Sequence, residues 1–270
     1  MQPDLDSLSD PRGRSGGFEF LIAAAGGLAI LLAWEAICRA GWVSKLVLPA
    51  PSAIAVELWG ALREIVFGGP MRGHTLITLY EILAGFVIGG ALGFILGVLI
   101  AEIATARRIL MPYLIALNAA PKIALAPLLL VWFGFGTGSK IVMTALIAFF
   151  PLLVNVIAGL ASVEPAKLKL MRSLAASRWM TLVKVKLPDA MPAIFAGLKT
   201  AIVLAVVGAI VGEFVGAEGG LGFVIRQSEF QLDVALTFAV IVLLSAIGIA
   251  LFYAIEFLER RALFWTRPPA

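Results

Sequence analysis

Six long apolar segments, separated by shorter polar ones, dominate the chain. A transmembrane α-helix needs about 20 apolar residues, and the last segment carries no charge between Asp233 and Glu256. The segments are residues 18–38, 82–101, 109–133, 141–163, 192–215 and 234–255. The pattern predicts an all-α polytopic membrane protein with six transmembrane helices.

Residues 44–73 follow a different pattern. They begin with the prolines of 48–52 (LPAPS), after which residues 53–66 alternate apolar and polar positions at helical spacing. This spacing predicts a short amphipathic helix on an aqueous face, with Ser52 as its N-cap.

The composition supports lipid as the solvent for much of the surface. The chain is 61% hydrophobic and 14% charged, and its mean hydropathy is +1.02, whereas soluble domains are about 45–50% apolar and about 25% charged. The net charge of +4 fits basic cytoplasmic loops and does not indicate nucleic-acid binding. The single Cys38 excludes an intrachain disulfide, and no metal role is expected for the single His74.

The distribution of basic residues predicts the orientation. With a cytoplasmic N-terminus, the inside holds Arg12, Arg14, Arg107, Arg108, Lys167, Lys169, Arg172, Arg178, Lys184, Lys186, Arg260, Arg261 and Arg267. The outside then holds the fewer Arg39, Lys45, Arg63, Arg72, Lys140 and Arg226. This excess places both termini in the cytoplasm. The predicted organisation is a cytoplasmic tail (1–17), a transmembrane domain (18–259) and a second cytoplasmic tail (260–270).

Two glycine stripes predict close helix packing. Gly85, Gly89, Gly93 and Gly97 recur every fourth residue in the second segment, and Gly208, Gly212 and Gly216 repeat the pattern in the fifth. Small residues at this spacing allow two helix backbones to approach closely.

Prolines and intramembrane polar residues predict a polar route. Pro112, Pro121 and Pro127 are expected to break the third span and Pro151 the fourth, and freed carbonyls at that depth must face protein or water. The candidate path residues are Asn118, Lys122, Asn155 and Glu213. One interpretation is that Lys122 faces an anion path. The alternative is that its ammonium group extends to the membrane surface or pairs with a carboxylate such as Glu213. Glu81 and Glu102, at span ends, are interpreted as solvated anchors.

The longest cytoplasmic loop, 164–191, reads EPAKLKLMRSLAASRWMTLVKVKLPDAM. It is basic and long enough for two short helices, the first beginning at Pro165. Leu168, Met171, Leu174 and Ala175 recur at helical spacing and predict one apolar stripe. A basic helix lying on anionic lipid is the alternative interpretation.

Residues 169–188 of this loop resemble the EAA loop of ABC importer permeases. That pattern is EAA, three residues, Gly, nine residues, Ile, one residue and Leu-Pro, and its spacing is intact in Lys169-Leu170-Met171, Ala175, Val185 and Leu187-Pro188. Lys169 and Ala175 depart from the family residues. If the glycine position needs a left-handed backbone, Ala175 costs roughly 1–2 kcal/mol. The resemblance implies ATPase-coupling roles for Leu168, Lys169, Met171, Arg172, Leu174, Ala175, Ala176, Ser177, Leu187 and Pro188.

Further motifs resemble the nitrate, sulfonate and taurine branch of these permeases. They are LPAPS (48–52), AAPK (119–122), LVWFG (130–134), GEFVG (212–216) and GGLG (219–222). The branch includes permeases for pyrimidine vitamin precursors and aromatic acids, so the solute stays open. The resemblance implies a type I importer bundle in a bacterial inner membrane. Its implied partners are a second permease chain, two ATPase subunits that carry ATP and Mg²⁺, and an external solute-binding protein, and no cofactor is expected on this chain.

The sequence argues against three other functions: nucleotide binding, transport without an ATPase, and intramembrane catalysis. Residues 134–140 (GFGTGSK) and 216–222 lack the spacing and the strand–helix context of a phosphate loop, and both are interpreted as turns. A secondary transporter or channel would lack the EAA-like loop, and no inverted repeat is evident. An intramembrane enzyme would need a polar catalytic constellation within the spans, so we expect no catalytic residue.

Overall fold

The computed structural model describes residues 16–264, apart from the side chains of 16–21 and 23, and it contains no strand within that range. The helices, in order, are α1 (Gly16–Arg39), α2 (Pro51–Phe67), α3 (Pro70–Glu102), α4 (Ala104–Ala119), α5 (Ala126–Phe133), α6 (Thr137–Ala161), α7 (Pro165–Ser173), α8 (Arg178–Thr181), α9 (Leu187–Gly216), α10 (Leu221–Phe230) and α11 (Val234–Ala262). The predicted all-α class is confirmed.

Four helices of the described range are long and apolar enough to cross a membrane: α3, α6, α11 and the continuous helix Arg178–Gly216, which contains α8 and α9. A fifth span forms if α4 and the bent segment Lys122–Phe133 count together. Helix α1 coincides with the first predicted segment. The predicted cytoplasmic tails lie mostly outside the described residues.

Helix α3 is longer than the predicted second span. It has 33 residues and begins at Pro70, a residue type that suits the first helical turn because it lacks a backbone N–H. At 1.5 Å per residue the helix is about 50 Å long, so its first turns extend beyond a hydrocarbon core of about 30 Å.

Helix α6 lies at the centre of the bundle, between α3 and α9. The glycine stripe of α3 faces it: a Cβ on Gly89 would lie 2.3 Å from the carbonyl oxygen of Ala145, and one on Gly93 would lie 2.7 Å from that of Phe149. Gly85 and Gly97 face Thr144 and Val156 of α6 as closely. The predicted role of this stripe in helix packing is confirmed.

The second stripe, on α9, is also a contact surface. A Cβ on Gly208 would lie 2.8 Å from Cα of Thr144, and one on Gly212 would lie 3.1 Å from Cα of Lys140. Gly216 instead meets Leu130 of α5. Helix α11 packs outside α9, where Lys199 and Glu259 pair at 2.7 Å.

Of the four prolines predicted to break a span, only Pro121 lies at a break, and Pro127 lies in the first turn of α5. The third span bends by 76° at Pro121, between α4 and the short 3₁₀ turn Lys122–Leu125, whereas Pro112 lies within α4. The predicted break at Pro151 is wrong, because α6 continues through it. Packing on both sides supports α6 there, and the Asn155 side chain donates a hydrogen bond to the Pro151 carbonyl at 2.8 Å.

The predicted N-cap of α2 is also wrong. Ala50 occupies the cap position without a side-chain bond, and Pro51 begins the helix. The backbone N–H and the hydroxyl of Ser52 donate to the Glu35 carboxylate, at 3.0 and 2.7 Å. A carboxylate from α1 therefore satisfies the amino end of α2, which favours negative charge.

The orientation yields a topology prediction. We expect a reporter fused after Arg267 to read cytoplasmic and one inserted near Gly136, between α5 and α6, to read external, because the basic residues concentrate on the opposite side. Alkaline phosphatase and green fluorescent protein fusions measure this. An external C-terminus would contradict the six-span arrangement.

Candidate functional site

The segment between α6 and α9 contains the first candidate site. Helix α7 ends at Ser173, and a turn leads to α8, whose N-cap Ser177 accepts a hydrogen bond from the Met180 N–H at 3.2 Å. Ala175, in the turn, has φ +50°, the left-handed backbone that costs a non-glycine residue about 1–2 kcal/mol. The position at which the EAA pattern has glycine therefore has a backbone conformation that glycine adopts at the lowest cost.

The predicted apolar stripe of this segment is split between two faces. Leu168 and Met171 are half-buried, whereas Leu174 is 66% exposed. Leu170 and Trp179, which were not predicted to share a surface, are 59% and 73% exposed. Residues two apart on a helix point to nearly opposite sides, so Leu168 faces the bundle and Leu170 faces away. We call Leu170, Leu174, Trp179 and Met180 the exposed apolar face.

Ion pairs join the segment to the spans. Lys186 pairs with Glu102 at the end of α3, at 2.7 Å, so Glu102 is more than the solvated anchor predicted. Lys167 donates to Asp189 of α9 at 2.5 Å, and this hydrogen bond raises the pKa of Lys167. Leu187 and Pro188, half-buried, begin α9, while Lys169, Ala175 and Ser177 are exposed.

The helix from α8 into α9 is continuous but irregular. Residues Leu182–Lys186 form a π-helical turn between the two α-helical parts, and π-helical turns occur often at functional sites. Leu182 is buried, while its neighbours Trp179 and Met180 are exposed. A force on the exposed apolar face therefore reaches α9 without an intervening flexible loop.

The four predicted path residues do not form one site. Lys122 donates to the Asn118 carbonyl (2.6 Å) and side-chain oxygen (3.1 Å) at the bend of the third span, and its ammonium lies 4.7 Å from the Phe150 ring centroid. The Asn155 side chain donates its hydrogen bond to the Pro151 carbonyl and packs against Gly197. The predicted Lys122–Glu213 pair is wrong, because Glu213 is fully buried among other partners.

Those partners form a buried polar cluster that the sequence did not predict: Thr78, Glu81, Lys140 and Glu213, which we call the outer polar cluster. Glu213 accepts hydrogen bonds from the Thr78 hydroxyl at 2.6 Å and from the Gly222 N–H. The Glu81 carboxyl group lies beside it; Glu81 is 1% exposed, and its Oε2 atom has no hydrogen-bond partner among the described residues. The prediction that Glu81 is solvated is wrong.

Lys140 completes the cluster. It was counted among the outside charges, but it is 2% exposed. Its ammonium donates to the carbonyls of Phe135, Gly136 and Gly216, the last two at 2.9 Å, and it lies beside Glu81 and Glu213. One cation thus joins the α5–α6 connection to the end of α9 and balances buried carboxyl charge.

The glycines of the 216–222 turn allow the backbone to wrap around Glu213. Gly220 has φ +105°, and a Cβ there would lie 2.3 Å from the Glu213 carboxyl carbon. Its N–H donates to Nδ1 of His74 at 3.1 Å, and the next N–H, of Leu221, donates to Thr78 at 2.7 Å. The amino end of α10 is therefore satisfied by α3 and α9. Within residues 16–264 no group of three metal-ligating side chains occurs.

We expect Lys140→Met to destabilise the fold strongly. The change leaves the carbonyls of Phe135, Gly136 and Gly216, the last of them buried, without the lysine donor. It also leaves the carboxyl pair without a counter-charge, and the total loss is about 3 kcal/mol or more. Thermal unfolding in detergent measures it, with the exposed outside residue Lys45→Met as control. A Lys140→Met midpoint within about 1 °C of the parent, given shifts of roughly 2–4 °C per kcal/mol for domains of 150–250 residues, would show that the cluster is not needed.

The fold and these sites indicate a class of membrane protein. Several membrane-crossing helices surround a central helix through glycine contacts, and a cytoplasmic segment with an exposed apolar face continues into one of them. This arrangement is typical of the membrane component of a transporter that moves with a partner.

The comparisons agree with this class. Residues 89–263 match the family described as binding-protein-dependent transport system inner membrane component. A probable ABC transporter permease protein of Haemophilus influenzae is 34% identical, covering 86% of this chain and 92% of that protein. The chain belongs to this family: it is an ABC importer permease component, which is not itself an enzyme.

Two further relatives and one structure extend the comparison. A putative aliphatic sulfonates transport permease protein, SsuC of Bacillus subtilis, is 32% identical over 87% of this chain and 84% of that one. The riboflavin transport system permease protein RibX of Chloroflexus aurantiacus is 34% identical over 88% and 87%. A chain of the MetNI methionine ABC transporter in an inward facing conformation has a TM-score of 0.59 at 23% identity, covering 68% and 94%, and confirms the type I permease fold.

Proposed function

We propose that this permease pairs with a second permease chain and couples solute movement to two cytoplasmic ATPase subunits. The observation that carries the proposal is the exposed apolar face, which the predicted orientation places on the cytoplasmic side. Apolar side chains exposed by 43–73% in a basic, water-facing segment are typical of a surface that a partner covers.

The packing supports a mechanical role for the segment. It is continuous with α9 and directly follows α6, so a closing pair of ATPases would move both central helices together. Glycine contacts bring the backbones of α6 and α9 close together, so the two helices move as one unit. In this proposal ATP and Mg²⁺ bind the ATPase, and no cofactor binds this chain. An external binding protein delivers solute to the outer face of the permease, which lies in a bacterial inner membrane.

For the solute we propose a small organic anion of the sulfonate or taurine kind. Lys122 lies at the bend of the broken span, a cation at a position that is costly in lipid, by roughly 2.5–3.5 kcal/mol on insertion scales. The SsuC relative supports this class. The RibX relative favours a second candidate, a vitamin or vitamin precursor.

Uptake by the reconstituted complex distinguishes the two classes. The permease, its ATPase and its binding protein would be assembled in vesicles and offered labelled taurine, an alkanesulfonate, riboflavin and a formylaminopyrimidine. ATP-dependent accumulation of a sulfonate alone supports the proposal. Accumulation of riboflavin or the pyrimidine alone replaces it with the second candidate.

Lys122 gives a sharper prediction within that assay. We expect Lys122→Met to lower ATP-driven uptake of an anionic solute by about tenfold. The change removes the cation at the bend, and the lost attraction to the anion is about 1.4 kcal/mol. Assembly, measured by ATPase co-purification, should stay normal. Lys122→Arg is the matched control, because it keeps the charge. Equal uptake by all three chains would mean that Lys122 only snorkels.

A further inference from the structure

A cavity of about 370 Å³ lies between the cytoplasmic segment and the ends of α3 and α9. It is lined by Glu102, Leu168, Arg172, Ala176, Arg178, Thr181 and Lys186. Liquid water occupies about 30 Å³ per molecule, so the cavity has room for roughly ten waters, or for a phosphate group with part of its ester.

The cavity carries a net positive charge. Lys186 and Glu102 form an ion pair at 2.7 Å, which cancels one charge of each sign. Neither Arg172 nor Arg178 has a carboxylate partner among the residues that the structure describes. Three cations and one anion leave two uncompensated guanidinium groups on one small cavity.

The predicted topology places the cavity on the cytoplasmic side, where lipid headgroups are expected. Glu102 is the last residue of α3, and Lys186 directly precedes α9, so the floor is formed at the ends of these two helices. Leu168 and Arg172, four residues apart, share the side of α7 that faces the bundle. The exposed apolar face is on the other side, so a partner seated there would not fill the cavity.

We propose that this cavity binds the phosphate of an anionic phospholipid of the cytoplasmic leaflet. Guanidinium groups bind phosphate oxygens through paired N–H donors, and basic pockets between transmembrane helices on the cytoplasmic side hold anionic headgroups. Leu168 and Ala176 supply apolar wall beside the charged groups. The bound lipid would fix the position of α7 and α8 against the membrane.

Native mass spectrometry of the purified full chain tests the proposal. The chain would be titrated with phosphatidylglycerol and, separately, with phosphatidylcholine, whose headgroup has no net charge. We expect the double variant Arg172→Gln with Arg178→Gln to bind phosphatidylglycerol at least tenfold more weakly. Arg172→Lys with Arg178→Lys keeps the charge but not the paired donors, so its binding should lie between those of the parent and the glutamine variant. A thermal unfolding midpoint of the glutamine variant equal to that of the parent excludes misfolding as the cause of the loss.

A charge control and two competitors complete the test. Lys184→Gln removes a cation from the same segment but not from the cavity, and should bind as the parent does. Unchanged phosphatidylglycerol binding in the glutamine double variant would overturn the proposal. Displacement by millimolar inorganic phosphate would replace the lipid with a soluble anion. Displacement by the ATPase subunit, with loss of ATPase binding in the double variant, would assign the cavity to that partner.

Discussion

Gly89→Ala is expected to prevent stable folding, although it adds one methyl group. The new Cβ would lie 2.3 Å from the carbonyl oxygen of Ala145 and 2.9 Å from its Cα, both backbone atoms of α6 that no rotamer change can move. Helices α3 and α6 must therefore separate along their glycine contact. Overpacking of a dense core costs about 1–3 kcal/mol and sometimes more, and here the rigid backbone places the cost at the upper end.

The neighbouring glycine provides a matched control. A Cβ on Gly90 would lie 3.7 Å from the Leu152 side chain, which is ordinary van der Waals distance. We expect Gly90→Ala to reach the membrane at the parent level and to unfold at the parent temperature, while Gly89→Ala shows a strongly reduced yield. Membrane yield and thermal unfolding in detergent measure both. Equal behaviour of the two variants would mean that α3 does not pack on α6 in this register.

Leu174→Asp is expected to abolish ATPase binding while the chain still inserts. Leu174 is 66% exposed, so a carboxylate there stays in water and does not disturb the bundle. In the proposed complex the same position is covered by the ATPase, and an unpaired carboxylate in an apolar contact costs several kcal/mol. Since every 1.4 kcal/mol or so weakens binding about tenfold, a micromolar contact would be lost.

The control for this variant is an equally exposed apolar residue on another surface. Val66, on α2, is 69% exposed and lies on the predicted outer side. Val66→Asp should co-purify the ATPase as the parent does, and both variants should insert equally. If Leu174→Asp also retains the ATPase, the exposed apolar face is not the coupling surface, and coupling must use another cytoplasmic element.

The sequence predicts the helices well where the apolar pattern is continuous. The predicted segments for α6 and α11 begin within a few residues of the observed helices, and the segment for α9 ends next to Gly216. The glycine period identified both faces that meet neighbouring helices. These features depend on local spacing alone. The left-handed conformation of Ala175 likewise follows from one position in one motif.

The outer polar cluster could not be predicted from linear hydropathy. A count of apolar residues predicts that the second span begins at residue 82, which places Glu81 at the solvated end of that span. Helix α3 in fact begins at Pro70, and Thr78 and Glu81 in its more polar first half are buried. Three ionisable residues in or beside apolar helices, Glu81, Lys140 and Glu213, were the available signal, but only the tertiary fold shows that they meet.

The two faces of the cytoplasmic segment were missed for a related reason. Helical spacing groups Leu168 with Met171 and Leu174, but it does not say which side of α7 the bundle covers. The Lys186–Glu102 pair, between residues 84 apart in sequence, helps to fix that side, and long-range pairs of this kind leave no local pattern. Leu170 and Trp179 therefore emerged as exposed only in the folded chain.

The most direct test of the central claim is whether transport by this chain requires an ATPase bound to the exposed apolar face. The permease would be purified with its ATPase and reconstituted in vesicles with the binding protein, and solute uptake would be measured with ATP, without ATP and with Leu174→Asp. We predict that the ATPase co-purifies and that uptake occurs only with ATP and the parent chain. Uptake at the parent rate by the permease alone, driven by an ion gradient without ATP, would contradict the account.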